Sequence, residues 1–259
     1  MEYGGIFISA IIFLAGVLTY IFRDKPNMAI GFRIGYTFAS EEAWRKTNEF
    51  AGKAFMGLGV IMGLMSLLGN VVLVTLVMII GVSLIIWKGY IIAKETVELE
   101  DISEPAEGVV MPLDKVDVKP YILFQLALIA SYIILLALSW GKMPDTVATH
   151  FNAHGSPDQF EPKSLGAFLL PLMVSTFILA LTYLGRDPIT LRIPRGNIKV
   201  ARIILELLTI TQLLLWGAFV YSLLYNAYNF SSPAVLSAIT LGSIGFIIVE
   251  TIRLVREVI

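Results

Sequence analysis

The chain contains no cysteine, which removes disulfides, thiolate metal sites and cysteine nucleophiles together. With no thiols to oxidise or keep reduced, cysteine usage says nothing about compartment. Charge is scarce too. Only 15% of residues are Asp, Glu, Lys or Arg, where a soluble domain carries about 25%. The two signs nearly cancel, leaving a net charge of −1, so no bulk pull toward nucleic acid or anionic lipid is expected, and no direct nucleic-acid partner. Histidine is limited to His150 and His154, both in one polar stretch. Walker A loops, dinucleotide fingerprints and Gly-x-Ser-x-Gly elbows are missing. No enzyme signature is left, and a non-enzymatic reading is preferred.

What the chain has in abundance is apolar sequence: 57% of its 259 residues are hydrophobic, and the mean hydropathy is +0.80. A membrane-crossing helix needs about 20 such residues in a row. Blocks at roughly 3–22, 50–69, 71–93, 120–140, 165–184, 200–227 and 233–255 qualify, which predicts an all-α, polytopic membrane helix bundle of about seven spans. The first block lacks a basic segment ahead of it and is read as a retained span, not a signal peptide. Turn and helix-start residues punctuate the blocks: Asp24-Lys25-Pro26, Gly69-Asn70, Pro120, Gly185 to Pro188, and Ser231-Ser232-Pro233. All the Lys and Arg residues except Lys142 and Lys163 then fall on one side of the membrane. By the positive-inside rule that side is cytoplasmic, so the N-terminus is expected outside and the C-terminus inside.

The first cytoplasmic loop runs from Gly31 to Lys53. Ser40 is a fair N-cap, with Glu41 and Glu42 in the first turn where the helix dipole favours negative charge. Glu41–Arg45 and Glu42–Lys46 are i,i+4 pairs, while Trp44, Asn48 and Gly52 share another stripe. An interfacial helix with Trp44 at headgroup depth is expected, and Gly59-x-x-x-Gly63 is a candidate helix contact. The second loop, Lys94 to Lys119, carries eight acids. Its Thr96-Val97-Glu98-Leu99-Glu100 alternation reads as a strand able to pair with Gly108 to Met111, and the loop is either a solvated hairpin or a docking surface for a basic partner. The third, Gly185 to Lys199, satisfies the positive-inside bias and is assigned no chemistry. Four segments follow: 1–95 as a three-helix module, 96–119 as the acidic loop, 120–185 as a two-helix module, and 186–259 as a two-helix extension.

The outward stretch Met143 to Lys163 holds both histidines. His150 and His154 at i,i+4 would share a face if helical, as in the zinc motif H-E-x-x-H, but Phe151 stands where the catalytic Glu would be. Asp158 or Glu161 could complete a ligand set. Gly155 and Pro157 instead suggest a turn. Packing on the outer surface, recognition of an external peptide or lipid headgroup, and a zinc site at His150, His154, Asp158 and Glu161 therefore stay open. Inside the spans, Glu206 is expected to pair with Arg202 and Glu250 with Arg253. Gln125 and Gln212 are candidate interhelical hydrogen-bond partners. No buried run of acids suggests an ion pathway.

Two stretches resemble known families. Gly31, Arg33, Thr37, Glu42, Trp44, Asn48 and Gly52, followed by two spans, resemble the core pattern of the SdpI-type bacterial immunity and signal-transduction proteins over roughly residues 5–95. Pro144, Thr149, His150, Phe151, Asn152, Gly155, Pro157, Asp158 and Lys163 resemble its companion two-helix domain of unknown function over roughly 120–185, here placed second. The resemblance implies a non-enzymatic, multi-pass protein of the cell membrane that senses or neutralises an external peptide or membrane stress. An external peptide ligand, a cytoplasmic regulator protein and the lipid bilayer are its implied partners, and no cofactor is expected. The alternatives are a metal-dependent membrane enzyme using His150 and His154, with zinc as cofactor, and a transporter or lipid-handling protein.

Overall fold

The structure, a computed structural model, describes residues 2–68, 71–103, 116–152, 154–187, 189–191 and 198–258. Each apolar block folds as a helix. The order is α1 (Glu2–Ile21), a short α2 (Gly35–Ala39), α3 (Glu41–Ser66), α4 (Val71–Ser103) and α5 (Lys119–Ser139). A hairpin of β1 (Thr146–Phe151) and β2 (Pro157–Pro162) follows, then a π turn (Ser164–Leu169) running into α6 (Leu170–Leu184), α7 (Ile198–Tyr228) and α8 (Pro233–Val258). This is an all-α, multi-pass membrane bundle with one small hairpin. Among the described residues six helices are long and apolar enough to cross a membrane, and α3 is not one of them. Its first half is charged and polar, and the wholly uncharged part from Ala54 to Ser66 spans only roughly 20 Å at 1.5 Å per residue.

By contacts the chain forms two units, Met1–Lys115 with Asp187–Gly196, and Val116–Arg186 with Asn197–Ile259. In the first, α3 packs on α1 and α4 around Phe32, Ala51, Leu58, Met62, Val74 and Ile85. The α1–α3 approach is close enough to need glycine. A Cβ on Gly52 would sit 2.7 Å from the Tyr20 amide nitrogen, and one on Gly59 would sit 2.7 Å from that of Phe13. Gly63 is looser, 3.9 Å from the Ser9 Cβ. The tight seam thus repeats every two turns, at Gly52 and Gly59, which the Gly59-x-x-x-Gly63 reading half captured.

In the second unit α7 packs on α5, α6 and α8. Gln125 is fully buried and donates to the Thr182 hydroxyl at 2.8 Å and the Thr209 hydroxyl at 3.2 Å, joining α5, α6 and α7 as expected. In a medium without water such bonds replace the partners a polar side chain would otherwise lack. With 31 residues, α7 is roughly 46 Å long, well beyond the roughly 30 Å of hydrocarbon. Its C-terminal turns are free to carry the polar Ser222 and Asn226.

Three expectations are corrected. Thr96 to Glu100 is helical, because α4 continues to Ser103, and the proposed partner segment, Gly108 to Met111, lies outside the described residues. Arg45 pairs with Glu42, not Glu41, at 2.8 Å, and Lys46 shares that carboxylate at 3.3 Å. Glu206 is bound by Arg253 of α8 at 2.9 Å, not by Arg202, and the same guanidinium holds Glu250 at 2.7 Å.

Candidate functional site

The first group of motif residues ties a loop onto a helix. Ser40 caps α3 by accepting the Ala43 amide at 2.9 Å. One turn further on, the indole of Trp44 donates to the Phe22 carbonyl at the end of α1, at 3.1 Å. Trp44 is fully buried, so it is a core residue and not the headgroup anchor expected from its place beside an apolar block. Asn48, also fully buried, accepts the Phe32 amide at 2.6 Å and donates to the Trp44 carbonyl at 2.9 Å. Gly31 lies against it with φ of +122°, a conformation other residues rarely adopt. A Cβ there would fall 2.5 Å from the Asn48 Oδ1 and 3.2 Å from the Trp44 ring. Thr37 closes the segment by accepting the Ile34 amide and donating to the Ile34 carbonyl.

Five of the seven motif positions (Gly31, Thr37, Trp44, Asn48 and Gly52) therefore build one scaffold. The other two face outward from it. Glu42 is held by Arg45, whose guanidinium keeps its carboxyl below the usual range, and Arg33 is exposed with a single bond to the Met28 carbonyl of its own loop.

Asp187 completes this side of the protein, and the sequence reading assigned its loop no chemistry. Its Oδ2 accepts from the hydroxyls of Tyr36 at 2.7 Å and Tyr90 at 2.9 Å, with the Lys94 ammonium at 3.8 Å. Beside it the Gly35 amide donates to the Thr190 carbonyl at 3.1 Å. Burial, then the Asp187 carboxylate, pushes the Tyr36 phenol far above its ordinary value. The only available signal was an acid among arginines in a short loop, which topology alone connects to two distant tyrosines.

The second group forms the β1–β2 hairpin. Asn152 makes its turn: Oδ1 accepts the amides of His154 at 2.9 Å and Ser156 at 3.1 Å, while its backbone carbonyl accepts the Gly155 amide at 2.9 Å. Gly155 adopts φ of +77°, which is why glycine stands there. Pro157 opens β2 opposite Phe151. Pro144 is exposed just before β1. Lys163 ends the hairpin with an ion pair to Asp145 at 3.2 Å and its ammonium over the Trp140 ring.

Two contacts fasten the hairpin to α7. The Phe151 ring meets Tyr221 and Tyr225 edge-on at 5.2 and 5.0 Å. The Asn226 amide grips the Ala148 backbone at both ends, accepting from its N–H at 2.8 Å and donating to its carbonyl at 2.9 Å, and Ser222 donates to the same carbonyl at 2.6 Å. Asn226 was missed because one polar residue near the end of a span looks like ordinary interface sequence.

His150 projects from β1 into solvent, with Nδ1 held by the Asp158 carboxylate. His154 sits in the exposed turn, and Glu161 takes a long contact from the Gln159 amide at 3.4 Å. The zinc alternative needed His150 and His154 together with Asp158 or Glu161. Among the described residues no three His, Asp or Glu side chains are gathered in ligating reach.

With this geometry in view, the comparisons with known proteins divide the chain in the same way. Residues 24–90 match the SdpI/YfhL protein family, and residues 127–174 match the domain of unknown function DUF1648, which stands second in the chain. The first stretch contains the whole Gly31–Gly52 scaffold and the second contains the hairpin. Asp187 and Asn226, which anchor them, lie outside both. No curated protein and no solved structure matches the chain.

Proposed function

We propose that this multi-pass membrane protein is a non-enzymatic immunity or signal-receptor protein of the cell membrane, sensing or neutralising an external peptide or membrane stress. The observation that carries the reading is the family match over 24–90, together with what its motif residues do. Five are consumed in holding the fold, which leaves Arg33 and the Glu42 edge as the surface available to a cytoplasmic regulator. Although α3 alone falls short of a span in apolar length, the distribution of Lys and Arg supports a topology in which it also crosses, giving seven crossings with the N-terminus outside and the C-terminus in the cytoplasm. In that topology the hairpin faces outward and the Arg33–Lys53 segment inward.

The reading is tested in cells sensitive to a membrane-active peptide. Expression of the protein should raise survival, and tagged protein should capture a cytoplasmic partner that an Arg33→Ala variant does not. Unchanged survival together with no captured partner would contradict it.

A further inference from the structure

Beneath the hairpin, in the second unit, lies a cavity of about 200 Å³. Its walls come from β1, the π turn, the start of α6, the C-terminal half of α7 and Leu236 of α8, while exposed His150 stands at its rim. Most polar side chains in the lining are engaged by the walls. Tyr132 donates to the Ala167 carbonyl at 2.6 Å, and Thr149 to the Gln159 carbonyl at 3.5 Å. Tyr221 accepts the Ser232 amide at 3.4 Å, and Ser222 and Asn226 are spent on Ala148. Exposed His150 at the rim is held through Nδ1 by the Asp158 carboxylate.

With most of these polar groups turned to the walls and the rest of the lining apolar, the site favours an apolar guest with few polar contacts. Size selects the guest. A dry cavity of about 150 Å³ accommodates benzene. On that scale 200 Å³ holds about eight or nine heavy atoms, the size of a phenol or indole ring and far short of a membrane lipid's acyl chain. The walls suit a ring as well, because Phe151, Phe219 and Tyr221 are among the lining residues.

We propose that this cavity is a binding site for a single aromatic side chain of an external peptide, seated under the hairpin with exposed His150 at the mouth. The inference rests on the sensing role proposed above and names the chemistry that the hairpin side would recognise.

The probe is 5-fluoroindole, added to the full-length protein in lipid nanodiscs and followed by fluorine NMR. Two variants fill the cavity from different walls, Ala218→Phe on α7 and Leu236→Trp on α8, and each is checked for monodisperse elution and wild-type helicity. Wild type should show saturable binding above the lipid background, and at least one correctly folded variant should lose it by tenfold or more. Binding that persists unchanged in both folded variants, or no saturable signal in wild type, overturns the site. So does a co-purified lipid, seen by native mass spectrometry in wild type and lost in the filled variants. Because indole binding is read on purified protein and survival on cells, failure of the cavity and failure of the sensing role are separate results.

Discussion

Replacing Asn48 by alanine is the sharpest perturbation of the scaffold, because its side chain makes three bonds, to the Phe32 amide, the Trp44 carbonyl and, at a long 3.5 Å, the Phe32 carbonyl. The substitution strands the buried Phe32 amide, whose partner at 2.6 Å is the Asn48 Oδ1. An orphaned buried donor costs about 1–3 kcal/mol, and the space left by the amide adds about 1 kcal/mol. The Trp44 carbonyl loses the Asn48 side-chain bond but stays within the helix, so it adds little. The expected loss is about 2–4 kcal/mol, which at 1.4 kcal/mol per decade corresponds to roughly thirty- to thousandfold faster hydrogen exchange at the Phe32 amide.

A partner substitution checks the cause. Gly31→Ala introduces strain at φ of +122°, worth about 1–3 kcal/mol, and sets its Cβ 2.5 Å from the Asn48 Oδ1. With Asn48 truncated that clash vanishes while the strain remains. The double variant should therefore be more stable than the sum of the singles implies, by about 1 kcal/mol. Exchange at Phe32 unchanged in Asn48→Ala, or strict additivity with Gly31→Ala, would refute the reasoning.

Three further outcomes are expected. A Ser9→Cys/Gly63→Cys pair should oxidise readily to a disulfide linking α1 and α3, since the two Cβ positions are 3.9 Å apart, inside the 3.5–4.5 Å range of such bonds. The absence of native cysteine makes the gel-shift assay unambiguous. Asn226→Ala should loosen the hairpin by about 1–3 kcal/mol through the stranded Ala148 amide, seen as faster exchange at Ala148 and faster proteolysis near Gly155, with α5–α7 protection unchanged. Tyr36 ionises at about 10.0 when unperturbed and well above that when folded. Above pH 10 the unfolded chain sheds a proton that the folded protein keeps, so stability should fall as pH rises there, and Tyr36→Phe should flatten that fall in a denaturation series.

Much of the fold is legible in the sequence because apolar runs of helical length have few other uses. The Ser40 cap and the Asn152–Gly155 turn are legible for a local reason, since each is made by bonds spanning only a few residues. Errors arise where local pattern and tertiary context compete. Thr96 to Glu100 alternates with the period of a strand, yet it continues a helix already propagating from α4. Trp44 beside an apolar block carries the same sequence signal as a headgroup anchor, and only the α1 terminus and the Gly31 loop closing over it make it core. Asp187 with Tyr36 and Tyr90, Arg253 with Glu206, and Asn226 with Ala148 are all pairings across long stretches of chain. No spacing rule encodes them.

In the proposed role the buried motif residues hold the fold and the exposed His150 and Arg33 carry the activity. The most direct test measures survival of peptide-challenged cells at matched membrane levels of wild type, His150→Ala and Arg33→Ala. Both exposed residues make few contacts, so both variants should insert and fold normally yet lose the protection that wild type gives. Full protection by both variants would contradict the account.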